Sequence, residues 1–235
     1  MRVALCLHGQ IGNQKGKSYD SPSGSQSVLD ISSKNTLEKL VTGNVDVFLH
    51  SWNSNFSKEL IEQYTPALHK IEPQIEFEVP PYIKSSHDRA FAHLSRWYSY
   101  QQSVALKSSY EDLHNFKYDL VMCQRFDVYW EHPIDYTSFN PKKFYLGNCT
   151  LNPNREWSDI WFLANSEDMD KFATLYDSIY TYMEPGGKFT SEKQYAGISS
   201  HFLTRFHAKQ LKLSEEFKYT INHDYHVTRH KFFEK

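Results

Sequence analysis

Long apolar runs are missing from this 235-residue chain. Nothing in it approaches the ~20 consecutive residues that cross a bilayer, and Met1-Arg2-Val3-Ala4 enters a short strand rather than a signal peptide. No membrane span is expected. Cysteine is scarce: Cys6, Cys123 and Cys149 are odd in number and lack a C-x-x-C spacing. Two of them fall in expected buried strands, so they read as reduced core thiols of an intracellular, cytoplasmic protein. A basic excess is also lacking, because a formal charge of -2 and a pI near 6.6 provide no clustered cationic surface for nucleic acid. Aromatic residues, by contrast, are plentiful, with 16 Tyr, 16 Phe and 5 Trp. That wealth suits a sugar-facing cleft, but on composition alone an aromatic core explains it better.

The stretch from Tyr118 to Trp130 organises the rest. Leu120 to Cys123 is a continuous apolar run, the signature of a strand buried on both faces. Charge follows at once: Arg125 and Asp127 lie two apart and so point the same way from an extended backbone. In open α/β sheets ligands collect at the carboxyl ends of strands. An aspartate there can hold a divalent cation and an arginine can meet phosphate, or the two can simply pair and cap the strand.

Other segments fall into the same alternation. Arg2 to His8 reads as a short buried strand ending in Gly9-Gln10-Ile11-Gly12, a turn that lets a ligand approach the backbone. Asn13 to Ser27 reads as a polar loop, Ser33 to Val41 as a short helix, and Val45 to His50 as a second strand running into Ser51-Trp52-Asn53. Phe56 to Tyr64 is expected helical and Ile75 to Val79 an edge strand. The longest helical periodicity runs from about Asp88 to Leu113 and carries Arg96 beside Trp97 and Tyr98. Strands are expected at Phe144 to Leu146 and Ser158 to Ala164, a helix from Ser166 through Ile179, and a last helix opening at Ser191-Glu192. The pattern predicts one α/β domain over residues 1–235, Rossmann-like, with a mostly parallel central sheet flanked by helices and residues 222–235 as a C-terminal tail.

Two motifs invite over-reading. Gly12-Asn13-Gln14-Lys15-Gly16-Lys17-Ser18 is one residue short of a P-loop, and Ser21-Pro22-Ser23-Gly24 breaks the helix a P-loop must open. Asp168-Met169-Asp170 is the one literal D-x-D, yet side chains fan apart in a first helical turn, where the helix dipole already explains acids. In the tail, His223-Asp224-Tyr225-His226 offers metal-ligating types without a second strong cluster.

Taken together, the strand ending His8-Gly9-Gln10, Val47-Phe48-Leu49-His50-Ser51-Trp52, the helix with Arg96-Trp97-Tyr98-Ser99, Tyr118-Asp119-Leu120-Val121 leading to Arg125-Phe126-Asp127, and Ser158-Asp159-Ile160-Trp161-Phe162 resemble small single-domain nucleotide-sugar glycosyltransferases of GT-A type, which occur in bacterial polysaccharide loci and in large DNA viruses. The resemblance implies transfer of a sugar from a nucleoside-diphosphate sugar, UDP ahead of GDP, to a glycan or other hydroxyl acceptor. It also implies Mn²⁺ or Mg²⁺ on the diphosphate, but the family's Asp-x-Asp is replaced by Arg125-Phe126-Asp127, leaving one carboxylate. On this reading Asp127, with His223 from the tail, is the metal site. His8, Gly9, Gln10, Trp52, Arg96 and Arg125 bind the sugar nucleotide, with Trp52 offering a flat face. Asp159 is the first choice for the base that deprotonates the acceptor, with Glu156 and Glu192 behind it.

Two other classes remain open: a non-catalytic carbohydrate-binding module, and a kinase or sulfotransferase built on the near-P-loop. Substituting Lys17 separates the last, since it should leave UDP and GDP binding intact in titrations, whereas a P-loop enzyme would lose ATP binding.

Overall fold

The computed structural model of the protein describes residues 1–14, 24–83, 85–148, 157–190 and 198–233. From the amino terminus, β1 (Val3–Gly9), α1 (Gln26–Leu40), β2 (Val45–Ser51), α2 (Ser57–Tyr64) and β3 (Leu68–Ile71) lead into the long helix α3 (His87–His114). The chain continues through β4 (Leu120–Arg125), β5 (Val128–Trp130), β6 (Phe144–Asn148) and β7 (Trp157–Ala164). It ends in α4 (Ser166–Ala173), α5 (Leu175–Met183), α6 (Ser200–Gln210), β8 (Glu215–Thr220), β9 (Tyr225–Val227) and α7 (Thr228–Phe232).

Seven strands form one sheet in the order β3-β2-β1-β4-β7-β6-β8. Six run in the same direction and β7 runs against them. The expected α/β class and mostly parallel sheet are therefore observed. Strand alternation divides the core into two halves. Ala4, Cys6, Phe48, Val121 and Cys123 face α3 and the α4–α6 helices, whereas Val3, Leu5, Leu7, Val47, Leu120 and Met122 face α1 and α2. Apolar side chains on both faces of the central strands give the continuous hydrophobic runs seen in the sequence.

A buried ionic network ties α3 to the following layer. The Lys107 ammonium, fully enclosed, donates to Glu111 at 3.0 Å, Ser166 at 2.7 Å and Asp170 at 2.6 Å. Glu111 in turn accepts from the Tyr118 backbone N–H at 2.8 Å, so the helix, the turn into β4 and the start of α4 share one set of charges. Asp170 is thus occupied by packing, in line with discounting the D-x-D motif.

Several expectations are corrected. Helix α1 begins at Gln26, well before Ser33. The edge strand is Leu68–Ile71, which pairs with β2, and the stretch 75–79 has no strand. The expected helix from Ser166 is broken at Thr174 into α4 and α5, and the first of these is capped by Asn165, whose side chain accepts from the Asp168 N–H. The last long helix, α6, spans Ser200–Gln210, and its expected opening at Ser191-Glu192 lies outside the described residues, as do Lys17 and Cys149.

Residues 222–233 are built into the fold. Strand β9 pairs antiparallel with β5, and Tyr225 is fully buried. Its hydroxyl meets Ser158 Oγ at 2.9 Å and lies where a Cβ on Gly147 would fall, with Trp161 Nε1 only 2.8 Å from the same point. Only glycine fits there, because a side chain at position 147 would drive Tyr225 out. Gly147→Ala should therefore destabilise by about 1–3 kcal/mol in denaturant unfolding, the range for an overpacked core. In a Tyr225→Phe background, where the hydroxyl is gone, the same substitution should cost measurably less.

Candidate functional site

Parity along the central strands assembles the site. His8 continues the Ala4–Cys6 face of β1, His50 and Trp52 continue the Phe48 face of β2, and Arg125 continues the Val121–Cys123 face of β4. All of them reach the α3 side at the carboxyl end of the sheet, the general position for a ligand in open α/β folds. Helix α3 supplies Arg96 from above.

The turn after β1 is held rigidly. Gly9 and Gly12 adopt φ of +96° and +93°, which side chains disfavour. The Gly9 N–H donates to Ser99 Oγ at 2.7 Å, the Gly9 carbonyl accepts from the Trp52 N–H at 3.2 Å, and the Ile11 N–H donates to Asn53 Oδ1 at 2.8 Å. Behind Ser99, His50 Nδ1 lies 2.7 Å from the serine hydroxyl and His50 Nε2 lies 3.0 Å from Glu72. Burial drives the His50 pKa down to about 4 against the opposing pull of Glu72, so the ring is neutral near pH 7. A neutral ring with Nε2–H facing the carboxylate accepts the serine proton at Nδ1, and the serine oxygen is left to receive Gly9. This chain of four groups fixes the turn that borders the cavity.

That cavity, of about 200 Å³, is bounded by His8, Trp52, Arg96, Arg125, Asp127 and Arg229, with Gly9 and Gln10 at its edge. Buried polar atoms normally find partners. Here both ring nitrogens of His8, Nε1 of Trp52, and Nε and Nη2 of Arg96 have none among the described residues. Burial, followed by the charges of Arg96 and Arg125, holds the His8 pKa well below its ordinary value, so it too is neutral. Unmet donors around a hollow call for a ligand rich in acceptors.

The charged groups are paired at their outer edges. Arg96 Nη1 bonds Asp159, and its guanidinium also lies 5.0 Å from the Trp97 ring centroid. Burial would raise the Asp159 carboxyl, but the charge of Arg96, supported by His201 and Arg125, overrides it and holds the pKa at about 2. Arg125 grips Asp127 with two bonds, Nε to Oδ1 at 2.8 Å and Nη2 to Oδ2. Arg229, from α7, lies 3.9 Å from the same Oδ2. Sequence reasoning passed over Arg229, because nothing in a five-residue helix near the terminus signals that it folds back to β4.

The other expected residues fall as follows. Trp52 borders the cavity, and one face of its ring is stacked on Tyr98 at 5.5 Å and 21°. His223 is exposed, sits 3.3 Å from its neighbour Asp224 and is not in the cavity wall. Glu156 and Glu192 lie outside the described residues.

The described residues do not fit a divalent cation. Such an ion wants six or more oxygen ligands for Ca²⁺-like sites, or a near-octahedral set for Mg²⁺. Among the described residues no three His, Cys, Asp or Glu side chains stand together to supply one. The Asp127 carboxylate is 4 % exposed and already carries a bidentate guanidinium. A unit charge and a divalent ion about 4 Å apart repel by about 8 kcal/mol at an effective dielectric constant of about 20, which removes the draw of that lone carboxylate.

Two buried histidines make stability pH-dependent. His50 and His207 both sit at about 4, lowered by burial from 6.5. Between these values the unfolded chain binds protons that the native chain does not, so their contribution is complete above pH 6.5 and is lost as pH falls towards 4. Urea unfolding at pH 4.5 against pH 7 should show a loss of several kcal/mol, at up to about 3 per histidine. His50→Gln should lose less over the same window, and Ser99→Ala should lower stability at both pH values by about 1–3 kcal/mol.

No protein-family profile matches the sequence, and no curated protein matches it. In structure the chain is similar to a crystallised protein of Desulfovibrio desulfuricans G20 named a "putative nucleotide-diphospho-sugar transferase", with a TM-score of 0.50 and 10% identity over 93% of this chain and 80% of that one. At that identity the likeness shows the fold: an α/β architecture whose seven-stranded, mostly parallel sheet lies between helices.

Proposed function

We propose that the protein is a glycosyltransferase that moves a sugar from a nucleoside-diphosphate sugar, UDP ahead of GDP, to a hydroxyl on a glycan or another acceptor. The observation that carries this reading is the cavity at the ends of β1, β2 and β4, where donors of His8, Trp52 and Arg96 lack partners beside the Arg125 guanidinium. Charge accumulates on the diphosphate as the glycosidic bond breaks, and fixed donors aimed at that charge lower the barrier. Planar guanidinium groups match phosphoryl oxygens two at a time. The likeness in fold to a protein named as a sugar-nucleotide transferase supports the same class.

In this reading residues 1–235 act as one glycosyltransferase-like unit. Gly9 and Gln10 border the nucleotide, Trp52 meets it through its ring edge, and neutral His8 both donates to and accepts from the donor. Arg96 and Arg125 hold the diphosphate. Asp159 takes the acceptor's proton: paired with Arg96 it is a weak base, and its basicity rises when that guanidinium turns to the phosphates. Glu156 and Glu192 are the alternatives for that role. A carbohydrate-binding module without turnover would need an open aromatic platform and no cluster of arginines, whereas one face of Trp52 is stacked on Tyr98 and three arginines line the cavity.

A panel of UDP- and GDP-sugars scored for slow donor hydrolysis tests the proposal. At least one donor should be turned over, and Arg96→Ala should lower kcat/KM by about 10²–10³, the effect of removing one charge-stabilising donor. Failure of every donor to bind or turn over would refute it.

A further inference from the structure

Three guanidinium groups converge on the cavity from three distant parts of the chain: Arg96 from the middle of α3, Arg125 from the end of β4 and Arg229 from α7. Among the described residues, the carboxylates of Asp127 and Asp159 stand beside them, each bonded to one of the arginines. Asp127 has no room to do more than hold arginines. Both its oxygens accept from Arg125, and the turn at Gly12 closes over it so tightly that a Cβ there would lie 3.1 Å from Asp127 Cβ. Two of the unmet donors, Nε and Nη2 of Arg96, belong to a cation.

We infer that this site holds a diphosphate without a metal ion, the arginines taking the place of the divalent cation, and that Arg229 is one of its phosphate-binding residues. The inference rests on the glycosyltransferase reading for the identity of the ligand. Its geometry depends on the C-terminal segment. The Thr228 N–H donates to the Asp127 carbonyl at 2.9 Å and the Thr228 hydroxyl meets Ser32 at 2.7 Å, so α7 is anchored at its first residue and the next one, Arg229, is delivered beside Asp127. A guanidinium carries several N–H donors in a fixed fork and stays charged, as a diphosphate partner must without metal. Asp127 then acts as a positioning residue: it orients Arg125 and Arg229 and itself contributes repulsion toward phosphate.

This assignment and a metal site at Asp127 make opposite predictions. UDP and GDP are titrated calorimetrically into the full-length protein with Mn²⁺ or with EDTA, using wild type, Arg229→Gln, Arg229→Lys, Asp127→Asn and Lys231→Gln, with melting temperature recorded for each. The expected result is affinity equal within about twofold in Mn²⁺ and EDTA, and a loss of tenfold or more in both for Arg229→Gln. Arg229→Lys should recover part of that loss, and Lys231→Gln, on the same helix but paired to Glu131, should change little. Asp127→Asn, which loses the repulsion toward phosphate but keeps one oxygen to orient Arg125, should bind within about threefold of wild type and equally in Mn²⁺ and EDTA. Binding that needs Mn²⁺ by tenfold or more and loses that need in Asp127→Asn would overturn the inference while leaving the transferase reading intact. Unchanged affinity in a folded Arg229→Gln would remove Arg229 from the site. Absence of UDP and GDP binding in both arms would overturn this inference and the transferase reading together. Should Arg229→Gln fail to fold, the comparison of Mn²⁺ with EDTA on wild type and Asp127→Asn decides.

Discussion

A charge withdrawn from water must be met by another charge or by hydrogen bonds, and the end of this sheet is built around that constraint. Arg125 is met by Asp127, and Arg96 by Asp159 on one edge and by no hydrogen-bond partner among the described residues on the other. The same rule governs the opposite end of α3, where Lys107 is enclosed by Glu111, Asp170 and Ser166. The two networks differ in one respect. Lys107 is saturated with partners and serves packing, whereas Arg96, His8 and Trp52 keep polar atoms unmet around a hollow.

Rigidity is supplied from outside the cavity. The line Glu72, His50, Ser99 and Gly9 begins on the loop after β3, crosses β2 and α3, and ends at the turn that borders the site. Because His50 is neutral, the direction of every bond in the line is set, and the turn cannot relax without leaving a buried donor unpaired. Closure comes from the chain's end, where β9 pairs with β5 and the Tyr225 hydroxyl occupies the space that Gly147 leaves open. The site therefore draws on β1, β2, α3, β4 and α7 at once, elements contributed along nearly the whole chain.

Much of the scaffold was legible in advance. The continuous apolar runs of β1, β2 and β4, the long helical period of α3, and the charges at the strand ends are local patterns that report burial directly. An Arg125–Asp127 pair was one of the two readings the sequence allowed, and the pair is formed across the turn at 126–127 and not along an extended strand. The misses were of another kind. Leu68–Ile71 became the edge strand because β2 lay beside it, while the alternating stretch 75–79 found no neighbour to pair with. One face of Trp52 is stacked on Tyr98, a residue 46 positions away, and no spacing rule reveals such a stack.

What the sequence by itself determined is the alternation of strands and helices, the central buried strands and the emergence of polar groups at their carboxyl ends, since each depends on periodicity within a single element. What only the tertiary structure decided is the partnership of those groups: that Arg96 answers Asp159, that both oxygens of Asp127 are taken by the Arg125 guanidinium, and that Arg229 from α7 comes to lie beside them. Pairing of charges acts through space at about 3–4 Å, and separations along the chain carry no record of it until the sheet has brought its ends together.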